Sequence, residues 1–337
     1  MPGHRAGILL AVAILGSAAA AIAQEAPQPR ADSVRRQSLD DAWWTGPMLA
    51  NTPARLPPGH LLIEPYFYDV STHARFDRKG ARQPAPRSNE FGSLTYIVYG
   101  LTDRVSIGAI PTAGFTTVAG APSSSGVAPG DVTLQAQYSI SQFQVGRWMP
   151  TTAVAVQETL PTGKYDRLGD RPTDGLGGGA RTTTVAFYAQ TYFWLPNGRI
   201  LRTRLNASQA FSTSVGLEDA SVYGTSNGFR GRAEPGGVSF LVSSWEYSIS
   251  RRWVAALDAT FRHARSTRVT GYTVFDSGLP RPPTQIDSGA SDAFGLAPAI
   301  EYSWTPKLGV LLGVRVIAAG RNASATITPA IAVNIVH

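Results

Sequence analysis

"DVTLQAQYSI", residues 131–140, puts Val132, Leu134, Ala136, Tyr138 and Ile140 on one face and Asp131, Thr133, Gln135, Gln137 and Ser139 on the other. Successive side chains of a β-strand point to opposite faces, so this is a strand with one apolar and one wet side. The same period returns along the chain. Trp253, Ala255, Leu257, Ala259 and Phe261 oppose Asp258, Thr260 and Arg262; Leu201, Thr203, Leu205 and Ala207 oppose Arg202, Arg204, Asn206 and Ser208. Phe294, Leu296, Pro298, Ile300, Tyr302 and Trp304 oppose Gly295, Ala297, Ala299, Glu301 and Ser303. Val310, Leu312, Val314 and Val316 oppose Gly313 and Arg315, and Ile327 to Ile335 alternates in the same way. Stretches 91–100, 182–194 and 238–249 alternate less cleanly, and their facing is left open.

Counting candidates gives twelve strands, near 60–70, 91–100, 105–112, 131–140, 148–160, 182–194, 200–210, 238–249, 253–262, 292–304, 308–318 and 325–336. Short turns (101–104, 141–147, 195–199, 250–252, 305–307) alternate with long connections (71–90, 113–130, 161–181, 211–237, 263–291), and only 319–324 is brief where length is expected. No later stretch supplies the roughly 18 consecutive apolar residues of a spanning helix. The strands run ~9–12 residues, against ~5–6 in soluble sheets such as a β-sandwich or propeller. Within lipid every backbone N–H and C=O must pair inside the protein, so a spanning sheet must close on itself. The expected fold is therefore all-β: a transmembrane antiparallel up-and-down β-barrel of about 12 strands, with short periplasmic turns and long extracellular loops in a Gram-negative outer membrane.

A short phrase marks the turns. "YGLTDRV" (99–105), "YSISRRW" (247–253) and "YSWTPKL" (302–308) share one template, with looser copies beginning at Tyr138 and Tyr192. An amphipathic ring is stable at a membrane–water boundary, a Ser, Thr, Asp or Pro makes the turn, and Arg or Lys stays in water. The expected periplasmic girdle is Tyr99, Tyr138, Tyr192, Trp194, Tyr247, Trp253, Tyr302 and Trp304.

Residues 1–23 read as a cleaved signal peptide: His4 and Arg5, an apolar run from Gly7 to Leu15, then small residues ending at Ala23. Residues 24–57, with Trp43-Trp44 and several prolines, are a periplasmic tether, the favoured reading, or a plug folded into the lumen; residues 58–337 form the barrel. There is no cysteine, which excludes disulfides and thiolate chemistry. Charged residues make up only 16%, below the ~25% of soluble domains. The net charge of +7 comes from scattered arginines, with no basic tract interleaved with aromatics, so nucleic acid is not an expected partner. Outer-membrane lipid and lipopolysaccharide, the barrel-assembly machinery and a small organic solute are.

The phrases "YGLTDRVSIG" (99–108), "PGDVTLQAQYSI" (129–140), "LPTGKYDRLGD" (160–170) and "DAWWTGPMLANTPARLPPGHLLIEPY" (41–66) resemble an outer-membrane family assigned to the MetA pathway of phenol degradation, whose members are transporter-like. The resemblance covers most of the chain after residue 23 and implies passage of small aromatic or hydrophobic compounds. It brings no catalytic signature.

Chemistry-bearing constellations are few. The histidines show no metal-ligand spacing, so neither a metal nor another cofactor is expected. A lipid hydrolase would need a His and a Ser activated together; His263 has Ser266 nearby in sequence, but residues three apart on a strand face opposite ways. "GDRPTDGLGGGAR" (169–181) lacks the Lys-Ser/Thr ending of a phosphate cradle and reads as an outer loop. The wet face is the better candidate: Glu64, Arg202, Arg204, Glu246, Asp258, Arg262, Glu301 and Arg315 are expected to line the lumen. Their mixed sign argues against strong ion selectivity, while Arg beside rings suits a small aromatic acid. Small inward residues (Gly295, Ala297, Ala299, Gly313, Ala330, Ala332) are expected to leave room. The chain thus reads as a non-enzymatic channel passing small organic solutes by passive diffusion; a sealed structural or surface-binding barrel is the alternative, and an outer-membrane lipid hydrolase a third.

Overall fold

The computed structural model describes residues 35–274 and 283–337; the signal peptide expected at 1–23 lies outside the described residues. The strands are β1 (Leu61–Phe76), β2 (Arg82–Gly100), β3 in two halves (Val105–Ile110 and Thr112–Val118), β4 (Val132–Ser141), β5 (Thr151–Leu160) and β6 (Thr182–Trp194). They continue as β7 (Ile200–Ser212), β8 (Val238–Ser248), β9 (Trp253–Ala264), β10 (Ser291–Thr305), β11 (Leu308–Arg321) and β12 (Ala323–Val336). Each pairs antiparallel with its neighbours in sequence, and β1 pairs with both β2 and β12, so twelve strands close into a ring. The seam ends in reciprocal backbone bonds, Leu61 N to His337 O at 3.1 Å and His337 N to Leu61 O at 2.8 Å. Proline has no N–H to give a ladder, which is why β3 breaks at Pro111.

Closure fixes two faces. Leu134, Val156, Val185, Leu205, Leu257, Leu312 and Ile331 point outward and are exposed, whereas Glu246 and Glu301 point inward and are 0% exposed. A water-soluble protein does the reverse. Exposing a large aliphatic side chain to water forfeits ~1.5–3 kcal/mol, so an outer wall of them on every strand suits an apolar surrounding.

At the short-turn end Tyr99, Tyr138, Tyr247, Trp253, Tyr302 and Trp304 lie on the outward face, with Trp253 and Tyr302 rings 4.6 Å apart and Tyr302 and Trp304 5.2 Å apart. Tyr192 and Trp194 do not belong to this girdle. On β6 the odd-numbered residues face out, so Phe193, 51% exposed, takes the outward place. Tyr192 turns inward against Phe143 at 5.1 Å, and the Trp194 indole N–H donates to Gln37 O at 2.8 Å.

The other end is more ordered than its sequence suggested. Residues 71–90, expected as a loop, continue the β1–β2 hairpin to a tight turn at 77–81, where Asp77 Oδ1 accepts from Lys79 N (2.8 Å) and Ala81 N (2.9 Å). Those backbone donors, Ala81 first, hold the Asp77 carboxyl below its ordinary range. Residues 113–130 contain the second half of β3 and a two-residue strand, Ala128–Pro129. Segments Val215–Glu218, Phe229–Glu234, Arg268–Thr273 and Thr284–Asp287 form a separate four-stranded sheet. Its core joins Val215, Leu217, Phe229, Ala233 and Val269 to Ala180. The glycine-rich 169–181 stretch is packed, not an open loop: Tyr223 Oη donates to Gly178 O at 2.5 Å, and a Cβ on Gly163 would lie 2.8 Å from Gly177.

Unboiled and boiled protein are expected to migrate differently on a denaturing gel, as closed barrels resist detergent. Leu257→Arg, on the outward face, should lower stability by ~2–4 kcal/mol in urea unfolding from lipid vesicles, while Leu257→Ile stays near wild type. An unchanged midpoint for the arginine variant would contradict an outer wall in hydrocarbon.

Candidate functional site: the plugged lumen

The site begins before the barrel. Residues 47, 53, 57 and 58 are prolines, so this stretch cannot join a ladder and its remaining polar groups need other partners. They find them inside the ring. Gln37 N donates to Gly198 O and Trp43 N to Arg251 O, both at 2.9 Å, at the short-turn end. Ser38 caps a single 3-10 turn, Leu39–Asp41. The two arginines of "YSISRRW" hold the Trp43 indole, with guanidinium carbons 4.6 Å (Arg251) and 5.8 Å (Arg252) from the ring centroid.

From there the chain rises into the lumen. Glu301 Oε2 accepts from Thr45 N at 2.8 Å and Gly46 N at 2.9 Å, and Asp258 Oδ2 accepts from Leu49 N at 2.9 Å. Arg204 donates to Ala50 O at 2.8 Å, Asn206 to Asn51 O at 3.1 Å and Ser139 to Pro53 O at 3.3 Å. The segment then returns to β1 past Gly100, where an added Cβ would lie 2.1 Å from Pro57 O; only glycine admits that crossing. Of the two readings of 24–57, tether or plug, the plug describes the contacts of residues 36–57, whose backbone meets inward-facing wall side chains. Backbone donors that meet no ladder are satisfied by wall carboxylates, and hydrogen bonds to charged groups contribute ~1.5–3 kcal/mol each.

The small inward residues expected to leave space instead form a socket. Met48 packs among Ala297, Leu311, Ala330 and Ala332, and a Cβ on Gly313 would sit 3.1 Å from Met48 Sδ. A Cβ on Gly309 would meet Thr45 Oγ1 at 2.5 Å.

The eight lumen candidates divide into groups. Arg202 grips Glu246 with two donors, its Nε at 2.7 Å, and Arg204 Nε lies 3.2 Å from the same carboxylate. Trp44 covers the Arg202 guanidinium at 4.3 Å. Together with Glu301 and Asp258 these residues anchor the plug. Glu64 lines a cavity of about 440 Å³ between the plug and the wall, where Asn334 donates to its Oε1 at 3.3 Å. Tyr96, Gln135, Gln137 and Tyr188 complete that wall, and Asn51 of the plug donates to Tyr188 Oη at 3.3 Å. Sequence reading missed Tyr188, Tyr96 and Asn334; inward parity was the available signal. Arg262 and Arg315 stand apart, beyond the plug tip beside Phe240.

A second hollow, about 820 Å³, opens on the outer wall across β10, β11, β12 and β1. Its floor includes Ala299, Gly313 and Ala330, and Pro298 and Pro329 supply no ladder N–H there. Behind this thin floor lies Met48 of the plug.

His263 is outward-facing, its Nδ1 2.7 Å from Asp292 Oδ1, and Asp292 also accepts from Arg321 Nε at 2.7 Å. Ser266 bonds Asp287, and Ser239, opposite His263 in register, donates to Gln209 at 2.5 Å, so neither hydroxyl is engaged by the imidazole. Among the described residues no group of three His, Cys, Asp or Glu side chains is placed to hold a metal.

A closed twelve-stranded barrel, apolar outside and polar within, has the architecture of the outer-membrane channels. Among solved structures, the COG4313 outer membrane channel from Pseudomonas putida F1 superposes with a TM-score of 0.65 over 86% of this chain and 100% of that one, at 15% identity, which shows a shared fold. The Pseudomonas putida toluene transporter TodX aligns over 83% of this chain and 90% of its own at 14% identity, but its TM-score of 0.34 carries no argument. No protein-family model and no curated protein matches the chain, so the MetA-pathway resemblance rests on its quoted phrases alone.

Glu246→Ala should destabilise the barrel by ~3–5 kcal/mol, because it strands two buried arginines. The double variant Glu301→Ala/Asp258→Ala should instead leave the gel shift intact and open residues 36–57 to limited proteolysis. Equal protection of that segment in wild type and double variant would refute the anchoring role of the two carboxylates.

Proposed function

We propose that this chain is a Gram-negative outer-membrane channel that passes small organic solutes, aromatic and hydrophobic compounds among them, by passive diffusion. The short-turn end would then face the periplasm, the wall would meet lipid and lipopolysaccharide, and the barrel-assembly machinery would insert it. The observation that carries the reading is the cavity of about 440 Å³ running beside the plug. A plug that only sealed the ring would need no such space, and a pocket of this size is in the range that holds a small organic molecule. The apolar hollow on the outer wall, floored by glycine and alanine, offers such a solute a lipid-side resting place.

A sealed structural barrel is the second reading, favoured by the number of hydrogen bonds between plug and wall. Flux across liposomes separates the two. Wild-type protein should admit small aromatic acids and alcohols but not disaccharides. Gln137→Trp, which fills the cavity beside the plug, should cut that flux by about tenfold or more, a lost pathway being worth at least ~1.4 kcal/mol, while keeping the gel shift. No flux through wild-type protein for any solute would establish the sealed barrel.

A further inference from the structure

The plug takes up much of the mixed charge of the lower lumen. In the lower lumen Arg202 and Arg204 share Glu246, and Glu301 and Asp258 are turned to plug N–H groups. Arg262 lies four residues beyond Asp258 on the same face of β9, about 13 Å further along the strand. It is opposite Phe240 in the β8–β9 register, and the Arg315 guanidinium carbon lies 6.0 Å from the centroid of that same phenylalanine ring. Arg315 Nε is buried with no hydrogen-bond partner. Neither arginine forms an ion pair among the described residues. Of the other lumen carboxylates, Asp258 lies below with one oxygen serving Leu49, Glu90 stands on β2 beside Tyr68, and Glu64 on β1 is hydrogen-bonded to Asn334.

Two like charges brought to one aromatic side chain, Arg315 by its ring contact and Arg262 by strand register, repel each other unless an anion lies between them. The geometry points to a binding site for a small anion with a flat apolar body, an aromatic carboxylate, held by Arg262 and Arg315 and stacked on Phe240. The guanidinium fork matches a carboxylate in two bonds, and the phenyl face receives the ring. The inference deepens the channel reading, on which it rests for transport, by naming the solute class. It also places a local preference for anions at this level of the lumen, where neither arginine has an ion-pair partner among the described residues, while Glu64 lies nearer the short-turn end, hydrogen-bonded to Asn334.

Binding of benzoate, benzyl alcohol and benzylamine to the detergent-solubilised full-length protein tests it, three probes of one shape and different charge. Benzoate should bind about tenfold or more tighter than either other probe, the ratio expected for one charge-assisted bidentate contact. Arg262→Gln/Arg315→Gln should bring the three affinities together, and Arg262→Lys/Arg315→Lys should keep most of the preference. Variants are compared only in the form that shows the gel shift; if the glutamine pair does not fold, the three-probe comparison on wild type decides. Equal affinities in wild type, or a preference that survives the glutamine pair, would overturn the site. Parallel liposome flux keeps the two readings distinguishable. Tight benzoate binding without flux upholds the site and removes the channel, whereas equal flux of all three probes, untouched by the glutamine pair, upholds the channel and removes the site.

Discussion

Ring closure between β1 and β12 is the constraint on which the rest of this molecule depends. A sheet with one free edge would leave a row of unpaired N–H and C=O groups, and in an apolar surrounding nothing else could satisfy them. Because β1 pairs on both sides, every wall residue has a fixed phase, and a shift of one residue would exchange the two faces of a strand. The outward positions can then be uniformly apolar. The charged side chains Arg202, Arg204, Glu246, Asp258 and Glu301 are directed inward, where they are buried.

That confinement explains the plug. Inward carboxylates such as Glu301 and Asp258, shut away from water, need donors that the wall cannot provide, since its own N–H groups are committed to ladders. A proline-punctuated segment outside every ladder brings free N–H groups at Thr45, Gly46 and Leu49, and carbonyls at Ala50 and Asn51 for Arg204 and Asn206. The wall makes room through Gly309, Gly313, Ala297, Ala330 and Ala332. Plug and wall are complementary in both charge and volume, so the segment is part of the folded lumen.

The barrel was legible because its period-two signal is imposed by two different solvents on the two faces of each strand. Residues 131–140 and 253–262 show it plainly, and both are strands with the expected facing. Beyond the apolar band water lies on both sides, alternation is lost, and strands such as 82–90 and 112–118 read as loops. The inward turn of Tyr192 was hidden for a related reason. In "YFW" three consecutive aromatics fit either phase, and only the register against Arg202 selects Phe193 as the outward ring. The plug left no periodic trace because its partners lie up to 258 residues away in sequence. Its prolines and the Trp43-Trp44 pair showed that it was unusual, and the inward carboxylates showed that the lumen needed donors. What joined the two was tertiary structure.

The same reasoning bears on how a solute could pass. Withdrawing the whole plug would strand Glu301 and Asp258 without their donors and empty the Met48 socket, losing several charge-assisted hydrogen bonds and a packed apolar contact together. A route that leaves the plug seated avoids that loss. The cavity bounded by Glu64, Tyr96, Gln135 and Tyr188 provides one beside the seated plug, whose residues 44–52 and 54–56 form its other side. In the proposed channel the plug would then be a fixed liner that satisfies Glu301 and Asp258 and narrows the lumen, with the two arginines beyond its tip left to face an entering solute.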